Sequence, residues 1–147
     1  MIATLRAVLL PVQIERPAAT LLQTGLLLTA LLRGIDYMIM PQGAAGRTLG
    51  FVEAALPLST WGAVYALAGA VGLAGQVIRS YPVAAVAHGV LVGLYSAFGV
   101  GQLVLVVRLG EHYGWRTGVG WVFVNAIGHA VMGRASLDAT GRPPWVR

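Results

Sequence analysis

The amino-acid sequence predicts an all-α integral membrane protein, an antiparallel bundle of four transmembrane helices with a short N-terminal interfacial helix. Hydrophobic residues make up 57% of the 147 positions, whereas Asp, Glu, Lys and Arg together make up only 10%. Soluble domains carry about 25% charged residues. All seven prolines lie outside four long apolar segments. A bilayer accommodates such a chain, because the outer surface of the bundle faces hydrocarbon.

The four apolar segments define the predicted spans. One membrane domain, 1–134, is predicted to precede a polar tail, 135–147, and to hold spans at about 18–40, 58–78, 83–107 and 115–133. A helix needs roughly 20 mainly apolar residues to cross a hydrocarbon core about 30 Å thick. The second and third segments meet this requirement easily. The fourth carries Trp115 and Trp121 near one end, as interfacial anchors do.

The N-terminal segment is predicted to lie in the membrane interface as a short helix. Ile2, Leu5 and Leu9 are spaced along one helical face, with Arg6 among the polar residues between them. This pattern is typical of interfacial amphipathic helices. The longest apolar run of the segment, 7–10, is too short for the core of a signal peptide.

The first span contains two charged residues, Arg33 and Asp36. The uncharged stretch before them, 18–32, has only fifteen residues, so a spanning helix must continue through both towards Met40. Residues three apart share one helical face and can pair. The alternative is a helix that ends near Gly34. We favour the continuous span, since isolated half-spans are rare outside transporters.

Small residues recur at every fourth position in the second and third spans. They are Gly62, Ala66, Ala70 and Ala74 in the second span, and Ala85, Gly89, Gly93, Ala97 and Gly101 in the third. In lipid, helices associate through close backbone packing, which small residues permit. We interpret the two stripes first as packing of the second span against the third. The alternative is that one stripe contacts another copy of the chain.

Polar residues inside the predicted spans are the candidates for chemistry. They are Gln23, Arg33, Asp36, Gln76, His88, Gln102, Asn125 and His129. Helix rise places His88 about 9 Å and His129 about 7.5 Å from the same membrane surface, with Gln23 and Gln76 at comparable depth. Interhelical hydrogen bonds are the first interpretation of this layer. A histidine pair that binds haem or relays protons is the alternative.

Several function classes are not predicted. The ten Arg residues and the net charge of +5 are not arranged as a basic run with aromatic residues, so nucleic-acid binding lacks support. The chain has no Cys, which excludes disulfides and thiolate ligands. No catalytic Ser/His/Asp set, phosphate loop or metal-ligand spacing is present, so we predict no enzyme and no cofactor. The predicted partners are membrane lipid, further copies of the chain, and a membrane protein.

The distribution of Arg predicts the orientation in the membrane. With four spans, Arg6, Arg16, Arg79, Arg134, Arg142 and Arg147 lie on one side, and Arg33, Arg47, Arg108 and Arg116 lie on the other. Cytoplasmic segments carry the excess of basic residues. The sequence therefore predicts a multi-pass protein of the bacterial cytoplasmic membrane with both termini in the cytoplasm.

Short motifs in the segments resemble a known group of proteins. They are the stretch 56–62 (LPLSTWG), His88-Gly89, the stretch 95–98 (YSAF), the stretch 114–117 (GWRT) and Gly128-His129. In these motifs and in the order of its segments, the chain resembles the small four-helix membrane proteins encoded by phages of high-GC actinobacteria. The resemblance implies a role as a holin, in lysis more generally, or in the exclusion of other phages. It implies no catalytic residues.

The sequence thus leads to one function hypothesis and two alternatives. The first is a holin-like protein that self-associates and permeabilises the cytoplasmic membrane during phage lysis. The second is a membrane protein that forms no pore and binds a host or phage partner, as superinfection-exclusion proteins do. The third, which rests only on His88 and His129, is a membrane subunit linked to haem or quinone.

Overall fold

A computed structural model describes residues 16–41, 49–109 and 120–141. Within these ranges the chain is helical and contains no strand. The helices are α1 (Arg16–Ile39), α2 (Gly50–Ala55), α3 (Leu58–Val77), α4 (Tyr81–Leu109) and α5 (Gly120–Thr140). The all-α fold class is confirmed. The predicted interfacial helix lies outside the described residues.

Three helices are long and apolar enough to cross a membrane. They contain the segments Pro17–Ile39, Leu58–Val77 and Tyr81–Arg108, whose mean hydropathy is 1.4, 1.3 and 2.1. α4 has 29 residues, a length of about 43 Å, so it is longer than the roughly 30 Å hydrocarbon core. The first part of the predicted fourth span, 115–119, lies outside the described residues.

α1 continues without a break through both of its charged residues. It runs past Arg33, Gly34 and Asp36 to Ile39, so the alternative helix that ends near Gly34 is wrong. Glycine is required here by packing, because Gly34 lies where α1 crosses α3. A Cβ atom at Gly34 would lie against the Ala66 backbone and 2.6 Å from the carbonyl oxygen of Gly62.

A second glycine extends this close contact along α3. A Cβ atom at Gly69 would lie 2.7 Å from the backbone nitrogen of Leu31, and one at Gly62 would lie 2.6 Å from the Gly34 carbonyl oxygen. α1 and α3 therefore touch backbone to backbone over about two turns. Such contact is the usual basis of helix association in lipid.

The prediction that the small residues of α3 pack against the third span is wrong for Gly62 and Ala66, which contact α1 at Gly34. Gly62 is buried and Ala66 is half-buried, but Ala70 and Ala74 are exposed. Four residues rotate a helix by about 40° more than one full turn, so a strict repeat of four moves off the contact face. The buried glycines of α3 instead follow spacings of seven and three residues: Gly62, Gly69, Gly72 and Gly75.

The predicted stripe on α4 turns away from the rest of the chain in the same manner. Ala85 and Gly101, at its two ends, are buried, whereas Gly89, Gly93 and Ala97 are exposed. A Cβ atom at Gly89 or Gly93 would meet nothing within 4 Å. The interpretation that these three residues pack on α3 is therefore wrong. The alternative, contact with another copy, stays a prediction.

α5 extends into the region predicted to be a polar tail. The helix continues to Thr140, and Ser136 within that stretch is only 5% exposed. Arg134 and Asp138 form an exposed ion pair at 3.0 Å, one helical turn apart. Only the remainder of the predicted tail, 142–147, lies outside the described residues.

Aromatic rings fill the contact between α1, α3 and α4. Tyr37 stacks on Phe98 with ring centroids 5.6 Å apart, and Tyr65 meets Tyr95 edge to face at 5.0 Å. Trp61 also packs edge-on against Phe98. Its indole nitrogen donates to the carbonyl oxygen of Val52 at 3.2 Å, which ties α2 to this cluster.

Candidate functional site

Two histidines meet in the interior where α4 packs against α5. His88 and His129 are both 0% exposed, and their Nδ1 atoms are 2.7 Å apart. Small neighbours make room for the two rings. A Cβ atom at Gly133 would lie 3.2 Å from the Cβ of His88, and Ala85 on α4 is also buried beside this contact.

α1 contributes a polar side chain to the same site. The amide nitrogen of Gln23 lies 3.2 Å from Nε2 of His88 and 3.5 Å from the hydroxyl oxygen of Ser136. Ser136 donates its own hydrogen to the carbonyl oxygen of Met132 at 2.9 Å. Its oxygen is therefore left to accept from Gln23, which is consistent with an amide nitrogen at this position.

This network assigns the hydrogens on both imidazoles. Because Gln23 donates to Nε2 of His88, a neutral His88 carries its hydrogen on Nδ1. His88 then donates across the 2.7 Å contact to Nδ1 of His129. A neutral His129 must carry its hydrogen on Nε2. That atom is buried and has no hydrogen-bond partner among the described residues.

The sequence-predicted polar layer divides into two adjacent networks. Gln23, His88 and His129 form the first. Gln76 belongs to the second, because its amide nitrogen donates to the hydroxyl of Thr24 at 2.9 Å and to the carbonyl oxygen of Thr20 at 3.3 Å. Gln76 therefore joins α3 to α1 beside the histidine pair.

Tyrosines continue the polar interior beyond the histidines. The Tyr95 ring stacks on His129 with centroids 5.3 Å apart and planes 18° apart, and Tyr65 lies against Tyr95. Both tyrosines are 0% exposed. Their hydroxyl groups, and Oε1 of Gln102, have no hydrogen-bond partner within the part of the chain that the structure describes.

The remaining predicted residues lie farther along the bundle. The Arg33 guanidinium is 5.6 Å from the centroid of the Tyr95 ring. Arg33, Asp36 and Tyr37 line an open cleft of about 420 Å³ together with residues of the preceding turn. Asn125 is buried on α5, one turn before His129.

The geometry of the histidine pair is unfavourable for haem. Two axial histidines approach one iron from opposite faces, whereas His88 and His129 are hydrogen-bonded to each other through Nδ1. The described residues contain no group of three or more His, Cys, Asp or Glu side chains placed to hold a metal ion. What the arrangement offers chemically is a short hydrogen bond between two groups that both accept and donate protons.

Sequence reasoning missed Ser136, Thr24 and the two buried tyrosines. Ser136 had a detectable signal, because Asn125, His129 and Ser136 are separated by four and seven residues and so share one helical face. The role of Tyr65 and Tyr95 had none, since aromatic residues occur throughout membrane helices. Their position depends on how α3 and α4 pack.

Comparison of the chain with known protein families, with curated proteins and with solved structures gives no match.

Proposed function

We propose that this protein is a holin-like membrane protein that crosses the bacterial cytoplasmic membrane four times, self-associates and permeabilises that membrane during phage lysis. One observation carries the proposal. Gly89, Gly93 and Ala97 form an outward face of α4, called here the α4 small-residue face, that is exposed in the single chain.

The α4 small-residue face has the features of a helix-association surface. Its members are four residues apart, and a Cβ atom at Gly89 or Gly93 would meet nothing within 4 Å. Exposed valines flank it, among them Val86 at 67% and Val100 at 57% exposure. Small residues spaced by four let the backbones of two membrane helices approach closely. The partner that this spacing favours is α4 of a second copy of the chain, because that helix presents the same small-residue face.

Permeabilisation is proposed to require several copies. The space between α1, α3 and α4 is filled by stacked rings such as Tyr37 on Phe98, and α1 and α3 touch through glycines. A lesion for metal ions or larger solutes therefore has to form between chains. The resemblance to small four-helix phage proteins supports the same class of function.

The four-span topology is part of the proposal. α5 presents an apolar outer surface, with Val124, Ile127 and Val131 at 68%, 61% and 50% exposure. Its contacts with α1 favour opposite directions, because Gly128 lies at Leu26 whereas Ser136, two turns later, lies at Gln23. α5 is also long enough to cross the hydrocarbon core, since its 21 residues rise about 32 Å.

Single cysteines test the topology, because the chain has no native Cys. We expect Ala55→Cys to react with a membrane-impermeant maleimide in intact cells, and Ser80→Cys and Gly141→Cys to react only after permeabilisation. Ser80 precedes α4 and Gly141 follows α5. The two residues share a side if both helices cross the membrane, and they lie on opposite sides if only α4 crosses. Labelling of Gly141→Cys but not of Ser80→Cys from outside would remove the fourth span. Labelling of both Ser80→Cys and Gly141→Cys from outside would reverse the orientation.

Gly93→Leu tests the function. In a bacterial host, the wild-type protein is expected to accumulate without effect and then to abolish the membrane potential abruptly at a threshold density. Leu at position 93 separates two α4 helices, so the collapse is expected to be delayed or lost. The melting temperature of the isolated chain is expected to stay unchanged, because position 93 has open space around it.

Gly25→Leu is the matched control for this experiment. Gly25 is also exposed, with nothing within 4 Å of a Cβ atom, but it lies on α1. It is expected to behave as the wild type. If Gly93→Leu and Gly25→Leu collapse the potential at the same density, the α4 small-residue face plays no part. If high expression leaves the potential normal and yet blocks infection by another phage, the exclusion hypothesis replaces the holin hypothesis.

A further inference from the structure

A series of neighbouring polar side chains runs along the interior of a single chain. It begins at Gln23, whose amide nitrogen lies 3.2 Å from His88, and passes to His129 at 2.7 Å. It continues through the ring of Tyr95, stacked on His129, to Arg33 at the open cleft. Gln23 and Arg33 are ten residues apart on α1, so the series covers about 15 Å of membrane depth.

The middle of this series contains three buried polar atoms. Nε2 of His129 and the hydroxyls of Tyr95 and Tyr65 are buried without a hydrogen-bond partner among the described residues. Tyr95 contacts both of the other side chains. Unpaired polar groups are costly in a bilayer interior. Buried waters commonly satisfy such groups, with about three hydrogen bonds each.

We propose that water bound at Tyr95 and the His88–His129 pair together form a proton relay within one copy of the chain. The relay connects the polar groups at Gln23 with the cleft at Arg33. Its ligand class is water and the proton that water carries. The titratable and charged groups that face it are Tyr65 on α3, Tyr95 on α4, and Arg33, Asp36 and Tyr37 on α1.

The transfer step balances on the atoms already described. An incoming proton bonds to Nε2 of His88, in place of the hydrogen bond from Gln23. The hydrogen on Nδ1 of His88 then passes to Nδ1 of His129, and His129 releases its Nε2 hydrogen to the water at Tyr95. One proton enters and one leaves, and each ring ends in the opposite tautomer. Before a second transfer, each ring must return to its first tautomer by losing a proton from one nitrogen to water and gaining one on the other, so we expect transfer to be slow.

The relay is independent of the proposed permeabilisation. It requires one chain and passes protons only, whereas the holin-like lesion requires several chains and passes larger solutes. Loss of contact between α4 helices is therefore expected to leave the relay intact. Loss of His129 is expected to leave self-association intact.

The test uses the full chain in liposomes, at a density of about one copy per vesicle. An enclosed pH-sensitive dye reports acidification after external acid is added, with potassium and valinomycin present to balance charge. A second enclosed dye, which is impermeant, reports leakage. We expect wild-type vesicles to acidify faster than protein-free vesicles without release of the second dye. Gly93→Leu is expected to acidify at the wild-type rate.

His129→Phe keeps an aromatic ring on Tyr95 but removes both nitrogens. We expect its acidification rate to fall to that of protein-free vesicles, with the helix content and melting temperature checked in parallel. If His129→Phe does not fold, Tyr95→Phe decides, because it keeps the ring and removes only the hydroxyl. A lowered rate in Tyr95→Phe supports the relay, and an unchanged rate overturns it. A wild-type rate equal to that of protein-free vesicles, or a folded His129→Phe that conducts as wild type, overturns it as well.

Discussion

Gly34→Ala is expected to lower the free energy of unfolding by about 3 kcal/mol, at the upper end of the range for overpacking a close-packed interior. The added methyl group would lie against the Ala66 backbone and 2.7 Å from its Cα atom. Backbone atoms cannot move aside as a flexible side chain does, so α1 and α3 must separate. The measurement is unfolding in mixed detergent micelles, followed by the circular dichroism of the helices.

Gly25→Ala is the matched control, because it makes the same change on the same helix where nothing lies within 4 Å. Its free energy of unfolding is expected to equal that of the wild type or to exceed it slightly, since Ala favours helix over Gly. Equal stability of Gly34→Ala and Gly25→Ala would contradict the close crossing of α1 and α3.

The second large effect is expected at the histidine pair. His88→Leu or His129→Leu leaves the other ring buried with an unpaired Nδ1 atom, which costs about 2 to 3 kcal/mol of stability. The double variant removes both nitrogens that form the 2.7 Å contact. It is expected to cost less than the sum of the two single variants, with a coupling energy of about 2 kcal/mol. The same unfolding assay measures all four proteins of the cycle.

A second cycle provides the control for this coupling. His129→Leu is combined with Gln76→Leu, whose side chain bonds to Thr24 and Thr20 on α1. These two substitutions are expected to add within about 0.5 kcal/mol, because the residues belong to separate networks. If the His88 and His129 effects also add, the two rings do not share a hydrogen bond.

The all-helical fold, the three long apolar helices and the grouping of Gln23 with His88 and His129 were predictable from the sequence. A chain with 10% charged residues has too few polar side chains to cover a soluble fold, and apolar lengths give the spans. Helix rise alone put Gln23, His88 and His129 at one depth, and the structure brings these three side chains together. The continuation of α1 past Arg33 also followed, since a shorter helix cannot cross the bilayer.

The faces of the helices, and the true end of α5, required the tertiary structure. In water, polar residues mark the outer face of a helix. In lipid, the outer face is as apolar as the inner one, so nothing in the sequence of α4 distinguishes exposed Gly93 from buried Leu91. Charge usually marks a membrane boundary, so the sequence predicts that the fourth span ends at 133, before Arg134, whereas Ser136 beyond it packs onto Gln23. The sequence by itself determined that the chain is helical and which three helices are long and apolar enough to cross a membrane. Only packing decided which side of each helix faces a neighbour, because hydrophobicity does not discriminate between lipid and protein.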